Sequence, residues 1–255
     1  MKQHLRTGAL ALAGGVGFLT RIPIGRDGAA WNTFRQSPWS WPIVAIPIGA
    51  AVAVVLTFPL PAFPLAVLAV AWLYLLTGIT HLDGLADIGD AAAVHGDQKR
   101  RNVARTDPTI GVGGAIGISV VLLWLVAMLH TAITMLPVIT ALLVVITAEV
   151  SAKLAMATAA CLSSPPHQGM GAAVLESNSA RALLGPVVVS LPVVVIGWPH
   201  PAPALALLAG PVGALGLARW ATVRLGGVSG DVLGAANELG RCLALGVGVI
   251  GWIAI

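Results

Sequence analysis

Five of the chain's ten acidic residues, Asp83, Asp87, Asp90, Asp97 and Asp107, lie between positions 83 and 107. If one helix continues past Thr80, Asp83, Asp87 and Asp90 stand at i, i+4 and i+7 and share a face within about 40°. Carboxylates so placed repel one another unless a cation joins them. Hard oxygen ligands of this kind suit Mg2+, which takes one or two carboxylates and leaves positions for water and substrate phosphates. No Lys or Arg separates Asp83 from Asp97, and the neighbouring Gly and Ala residues let a ligand approach the backbone. Lys99, Arg100, Arg101 and Arg105 follow, and these could hold the remaining charge of a diphosphate. The competing reading is a solvated loop with helix-capping aspartates.

A second constellation runs from Gly226 to Glu238. Asp231 and Glu238 are seven residues apart, on one helical face, with Gly234 and Ala235 between them. Glycines ahead of a helix start suit a phosphate. Packing of helices through small residues accounts for the glycines equally well, but not for two acids on one stripe. Other polar residues carry less. On a straight helix His81 points away from Asp83, so it reads as an interfacial histidine as readily as an acid or base. Glu149 and Lys153, at i and i+4 near a cytoplasmic helix end, read most simply as an ion pair. Pro165 to Gly171 reads as a loop.

The elements that must position these residues are membrane helices. The chain is 57% hydrophobic and 9% charged, against about 25% charged in an average soluble domain. From Pro42 to Thr80, and again from Pro108 to Ala148, there is no charged side chain. Each stretch far exceeds the roughly 20 residues of one crossing, so each holds two. Strand-type alternation is missing, which leaves helices. Proline-rich turns at Pro59–Pro64, His130–Pro137 and Trp198–Pro201 divide the apolar stretches into hairpins. These hairpins pair 42–58 with 64–80, 110–129 with 137–158, and 182–197 with 202–218. A last run from Cys242 to Ile255, about 14 residues, is short enough to cross only partly. Met1 to Leu19 resembles a secretory signal without its cleavage site and is expected to stay as a short or interfacial helix.

The expected fold is therefore an all-α, polytopic integral membrane bundle. It has six to seven transmembrane helices in hairpins plus a short N-terminal helix, with residues 1–255 forming one domain. The net charge of +4 comes from scattered loop residues and does not indicate nucleic acid. Lys2, Arg6, Arg21, Arg26 and Arg35 precede the first hairpin, and Lys99, Arg100, Arg101 and Arg105 follow it. Lys153 and Arg181 flank the next connection, and Arg219, Arg224 and Arg241 occupy the last. The proline turns contain no Lys or Arg. The positive-inside rule then puts every charged loop, and any active site there, on the cytoplasmic side of a bacterial-type inner membrane.

The stretch Thr77-Gly78-Ile79-Thr80-His81-Leu82-Asp83-Gly84-Leu85-Ala86-Asp87-Ile88-Gly89-Asp90 resembles the central motif of the cobalamin synthase family, the adenosylcobinamide-GDP ribazoletransferases. Three further stretches agree in order: Phe18 to Pro23, Asp107 to Gly111, and Gly230 to Glu238. The chain departs from the family at Ile79, Thr80 and Ala91, and has Thr106 and Thr109 where basic residues are frequent. Arg105 or Arg101 is then the substitute for a phosphate contact. The resemblance implies that α-ribazole, or its 5′-phosphate, reacts with adenosylcobinamide-GDP to give adenosylcobalamin, or its phosphate, and GMP. It implies Mg2+ on Asp83, Asp87 and Asp90, with Asp107 and His81 as catalytic candidates. Arg21, Arg101, Arg105, Asp231, Asn237 and Glu238 are implied on the substrate side. Two rival readings are a membrane CDP-alcohol phosphotransferase, whose Ala-Arg step after Asp-Gly is missing here, and a cation-coupled transporter, whose acids belong at mid-membrane.

Overall fold

A computed structural model describes residues 2–255, and Met1 lies outside them. Every regular element among the described residues is helical, as an apolar chain in lipid requires. Helix α1 (Lys2–Leu19) packs on α2 (Gly28–Arg35) and on the start of α3 (Ser40–Val55). Asp27 caps α2 by accepting from the Ala29 and Ala30 amides, both at 2.9 Å.

The proline turns end helices where the sequence places them. Helix α3 turns back into α4 (Ala62–Thr77). After α5 (Thr80–Ala93) and α6 (Gln98–Arg105), α7 (Val112–Met135) turns into α8 (Val138–Leu162) at Leu136–Pro137. Beyond the short α9 (Met170–Glu176), the 182–197 limb is two pieces, α10 (Leu184–Ser190) and α11 (Pro192–Ile196). Pro192 lacks the N–H that would continue the first piece. Helix α12 (Ala202–Leu225) completes the third hairpin. Helices α7, α8, α12 and α13 (Gly230–Ala254) are each long and apolar enough to cross a membrane, and three bent pairs bring the number of candidate spans to as many as seven. The chain is a multi-pass helical membrane protein.

Two expectations are corrected. The last span does not begin at Cys242: α13 has 25 residues, roughly 37 Å at 1.5 Å per residue, enough for a full crossing. Its polar residues are neutralised inside the bundle, so a run of apolar letters understates its length. Arg241 therefore lies within α13, and Lys153 lies within α8, 3% and 0% exposed respectively. Neither is a loop charge, and the Glu149–Lys153 pair is interior rather than at a helix end. The remaining Lys and Arg still avoid the three proline turns, so the bundle keeps one charged end.

The other correction concerns α4. The helix stops at Gly78, whose φ of +76° is open chiefly to glycine, and α5 leaves it at 101°. Rather than spanning, α5 lies across the charged ends of α13 and α7. A Cβ on Gly84 would sit 2.9 Å from the Asp231 Cα, and one on Gly89 3.0 Å from the Gly113 carbonyl carbon.

Candidate active site

The site is built by the crossing of α5 over the first turns of α13. Besides Gly84 over Asp231, Gly234 faces α5 so closely that a Cβ there would stand 3.1 Å from the His81 Cα. Small residues at such a crossing let two backbones touch, and here the contact brings Asp231 in among the α5 carboxylates. Asp87 registers the crowding. Partial burial and then the charges of Asp231 and Asp83 push its carboxyl up to about 6, against the opposing pull of Arg105. Asp83 stays exposed.

One cation is set against these acids. Arg105, 7% exposed, forms an ion pair with Asp231, and its Nε donates to Asn102 Oδ1 at 3.2 Å. The loop that the sequence places at Pro165 to Gly171 runs from α8 into α9 and reaches the same place. Ser164 accepts from the Val228 amide at 3.0 Å, and His167 Nε2 lies 3.3 Å from Arg105 Nη2. His167 is thus a site residue without a sequence signal. Arg21 is exposed, alongside Gly78 at the entry to α5, and makes no ion pair among the described residues.

Several expected site residues have other work. Asp90 Oδ2 and Oδ1 accept from the Gly111 and Gly114 amides, both at 2.8 Å, so both its oxygens are used in capping α7. Arg101 donates to the Ala91 carbonyl at 2.8 Å and closes the C-terminal end of α5. Asp107 is exposed and accepts from the Thr109 hydroxyl and, at 2.8 Å, the Thr109 amide. Those bonds hold its carboxyl below the usual range, which makes it a poor base. Arg101 and Asp107 stand apart from the Asp83–Asp87–Asp231 group, and Asp90 acts on it only through its charge, the weakest of those on Asp87.

Asn237 and Glu238, 0% and 1% exposed, lie under the site and do not line it. Glu238 is two turns, about 10 Å, below Asp231. It accepts from Tyr74 Oη at 2.8 Å and Asn237 Nδ2 at 2.9 Å, and pairs with Arg241. Arg241 also pairs with Glu149, while Lys153 Nζ donates to Asn237 Oδ1 at 2.6 Å. Two acids and two bases thus tie α13 to α8 and α4 without net charge.

Beside Asp83 and Asp231 opens a cavity of about 190 Å3. His81 and Asp83, both in the first turn of α5, line this one cavity, and the bend at Gly78 brings that turn to it. Its far side is aromatic, from Phe18, Trp31, Phe34 and Trp41.

The profile of the cobalamin-5-phosphate synthase family matches residues 11–249. The chain belongs to that family. Among its relatives, an adenosylcobinamide-GDP ribazoletransferase of Halorubrum lacusprofundi is 46% identical over 250 residues, covering 95% of this chain and 97% of the relative. One of Haloquadratum walsbyi is 40% identical over 252 residues, covering 95% and 98%. Another, of Methanosarcina mazei, is 32% identical over 264 residues, covering 92% and 90%. No solved structure matches this family member. The comparisons bear out the resemblance seen in the motifs and lend nothing to the phosphotransferase or transporter readings.

The acids of this family member can be tested against a divalent ion. Among the described residues no three His, Cys, Asp or Glu side chains enclose a metal position. Asp87 is nonetheless crowded by three like charges, Asp231, Asp83 and, most weakly, Asp90. That combination fits Mg2+, which needs only one or two carboxylates and fills its shell with water and phosphate oxygens; it does not fit a metal held by protein alone.

Proposed function

We propose that this protein joins α-ribazole, or α-ribazole 5′-phosphate, to adenosylcobinamide-GDP with release of GMP, the last joining step of cobalamin assembly. The observation that carries the reading is the glycine-mediated crossing of α5 and α13. It gathers Asp83, Asp87 and Asp231 opposite Arg105 at the charged end of the bundle.

The reaction is a displacement at phosphorus. The ribazole 3′-oxygen bonds to the phosphorus attached to cobinamide, the bond to the GMP oxygen breaks, and the hydroxyl proton is lost. Such a transfer depends on charge neutralisation and alignment. Asp83 and Asp87 would hold Mg2+, which supplies a positive charge on the diphosphate oxygens. Arg105, buried and held by Asp231, Asn102 and His167, offsets the charge of the acids from behind, and Arg21 adds a free cation at the edge of the region. His81, in the cavity wall beside Asp83, has its imidazole pushed down to about 3 by burial and then by the charge of Lys153. It therefore serves as a neutral hydrogen-bond partner that orients the hydroxyl, whose proton passes to water. We take the charged end to face the cytoplasm, where a nucleotide-linked substrate is available, and the distribution of Lys and Arg supports that orientation. Since the relatives named above are archaeal, the membrane is taken as the cell membrane of a prokaryote and not specifically a bacterial inner one.

Solubilised protein given adenosylcobinamide-GDP, α-ribazole and Mg2+ should release GMP, and chelation should stop it. CDP-diacylglycerol should not replace the nucleotide substrate. GMP release unaffected by chelation would remove the metal from the proposal.

A further inference from the structure

We propose that the aromatic cavity beside Asp83 and Asp231 seats the benzimidazole ring of the ribazole, with the first 41 residues of the chain supplying the ring's binding wall. The inference rests on the function proposed above, since that reaction brings two flat bases to the site, benzimidazole and guanine.

Size restricts the occupant first. The cavity holds about 190 Å3, below the roughly 300–1,000 Å3 of sites that enclose a drug-sized ligand. One ring system fits, while a whole nucleotide or a corrinoid does not. Its floor is Phe34 and Trp41, 1% and 0% exposed, and Phe18 and Met170 stand at its mouth, 41% and 77% exposed. The wall is assembled already. Ring centroids lie 4.9 Å apart for Phe18–Trp31, 5.4 Å for Phe18–Phe34 and 5.5 Å for Phe34–Trp41, all tilted. Aromatic faces and thioethers are suited to a flat, polarisable guest.

Polarity separates the two bases. The charged, hydroxyl and imidazole groups lining the cavity come from one side: Thr80, His81 and Asp83 on α5 and Asp231 on α13. On the aromatic side, the Trp41 Nε1–H is already given to the Phe34 carbonyl at 3.3 Å. Guanine seated against that wall would bury its ring N–H and amino group without acceptors, at a cost of a few kcal/mol each, and the Trp31 indole N–H could meet only its carbonyl. The carbocyclic edge of a benzimidazole has no such groups. With the ring against Phe18 and Trp31, in front of the already covered Phe34 and Trp41, the attached ribose extends towards the wall bearing His81, Asp83 and Asp231, where its 3′-hydroxyl must react. Neither the acidic motif nor the α13 motif contains any of these aromatics, so ring selection and phosphoryl transfer are assigned to different parts of the chain.

The test uses the full chain in detergent and two readouts. Free 5,6-dimethylbenzimidazole should quench tryptophan fluorescence saturably without Mg2+ or the nucleotide substrate. Phe18→Ala, at the exposed mouth, should raise KM for α-ribazole about tenfold, the size of one lost aromatic contact, and leave KM for adenosylcobinamide-GDP within about twofold. Met170→Ala provides the same comparison should Phe18→Ala not fold. A raised KM for adenosylcobinamide-GDP alone would assign the cavity to guanine and overturn the inference. Absence of quenching together with two unchanged KM values would reduce the cavity to packing. Wild-type protein that binds the free ring but releases no GMP would defeat the proposed function and leave the ring site standing.

Discussion

Removing Lys153 and Glu149 together should cost less than the sum of the two single removals. In the native bundle Lys153 and Arg241 balance Glu149 and Glu238, all four no more than 3% exposed. Lys153→Met leaves two carboxylates facing one guanidinium, and Asn237 loses the donor 2.6 Å from its oxygen. An uncompensated buried charge costs about 3–5 kcal/mol in protein interiors, and about 3 kcal/mol at the centre of a membrane helix. Taking about 3 kcal/mol, the midpoint of thermal unfolding should fall by roughly 6–12 °C at about 2–4 °C per kcal/mol. Glu149→Gln should fall similarly, because it strands a positive charge. The double variant is neutral again and keeps the Arg241–Glu238 pair, so it should recover at least about 1.5 kcal/mol relative to the sum of the single losses. Unfolding followed by tryptophan fluorescence in one detergent measures all four corners of the cycle. Strictly additive losses would refute the idea that these groups act as one charge-balanced unit.

Two further outcomes follow from the α5–α13 crossing. Because the Asp87 carboxyl is raised from 3.8 to about 6, the folded protein holds its proton more tightly than the unfolded chain. This contribution is fully present below about pH 4 and is lost as pH rises through about 6. Mg2+ should therefore raise the unfolding midpoint at pH 7.5 and not at pH 5, and Asp87→Asn should abolish that difference; equal shifts at both pH values would contradict it. Gly84→Ala should lower both the midpoint and GMP release. It gains roughly 1 kcal/mol of helix propensity but loses about 1–3 kcal/mol to overpacking against the Asp231 backbone, and unchanged or higher stability would show that the two helices do not touch as described.

The hairpins were legible because proline marks their turns and lipid permits only helices between them. The acidic motif was legible because Asp83 and Asp87 keep helical spacing even after the chain bends. The bend itself turns on the backbone angle of Gly78, a glycine that reads like any other inside an apolar run. The length of α13 was hidden by Glu238 and Arg241, whose charges look like a loop until Glu149 and Tyr74 are seen opposite them. Likewise Asp90 and Asp83 are equivalent by spacing, and only the approach of α7 makes one a cap. The aromatic cavity had no signature, since Phe18, Trp31, Phe34 and Trp41 come from three helices and meet only after folding. His167 joins Arg105 through a loop for the same reason.

The most direct measurement compares Asp83→Asn, Asp87→Asn and Asp90→Ala for Mg2+-dependent GMP release in properly inserted protein. Asp83→Asn and Asp87→Asn should lose turnover with the unfolding midpoint measured without Mg2+ not lowered, whereas Asp90→Ala should lose about 1 kcal/mol of stability as a missing cap and keep turnover. Full activity in Asp83→Asn or Asp87→Asn, or loss of turnover only in Asp90→Ala, would contradict the account.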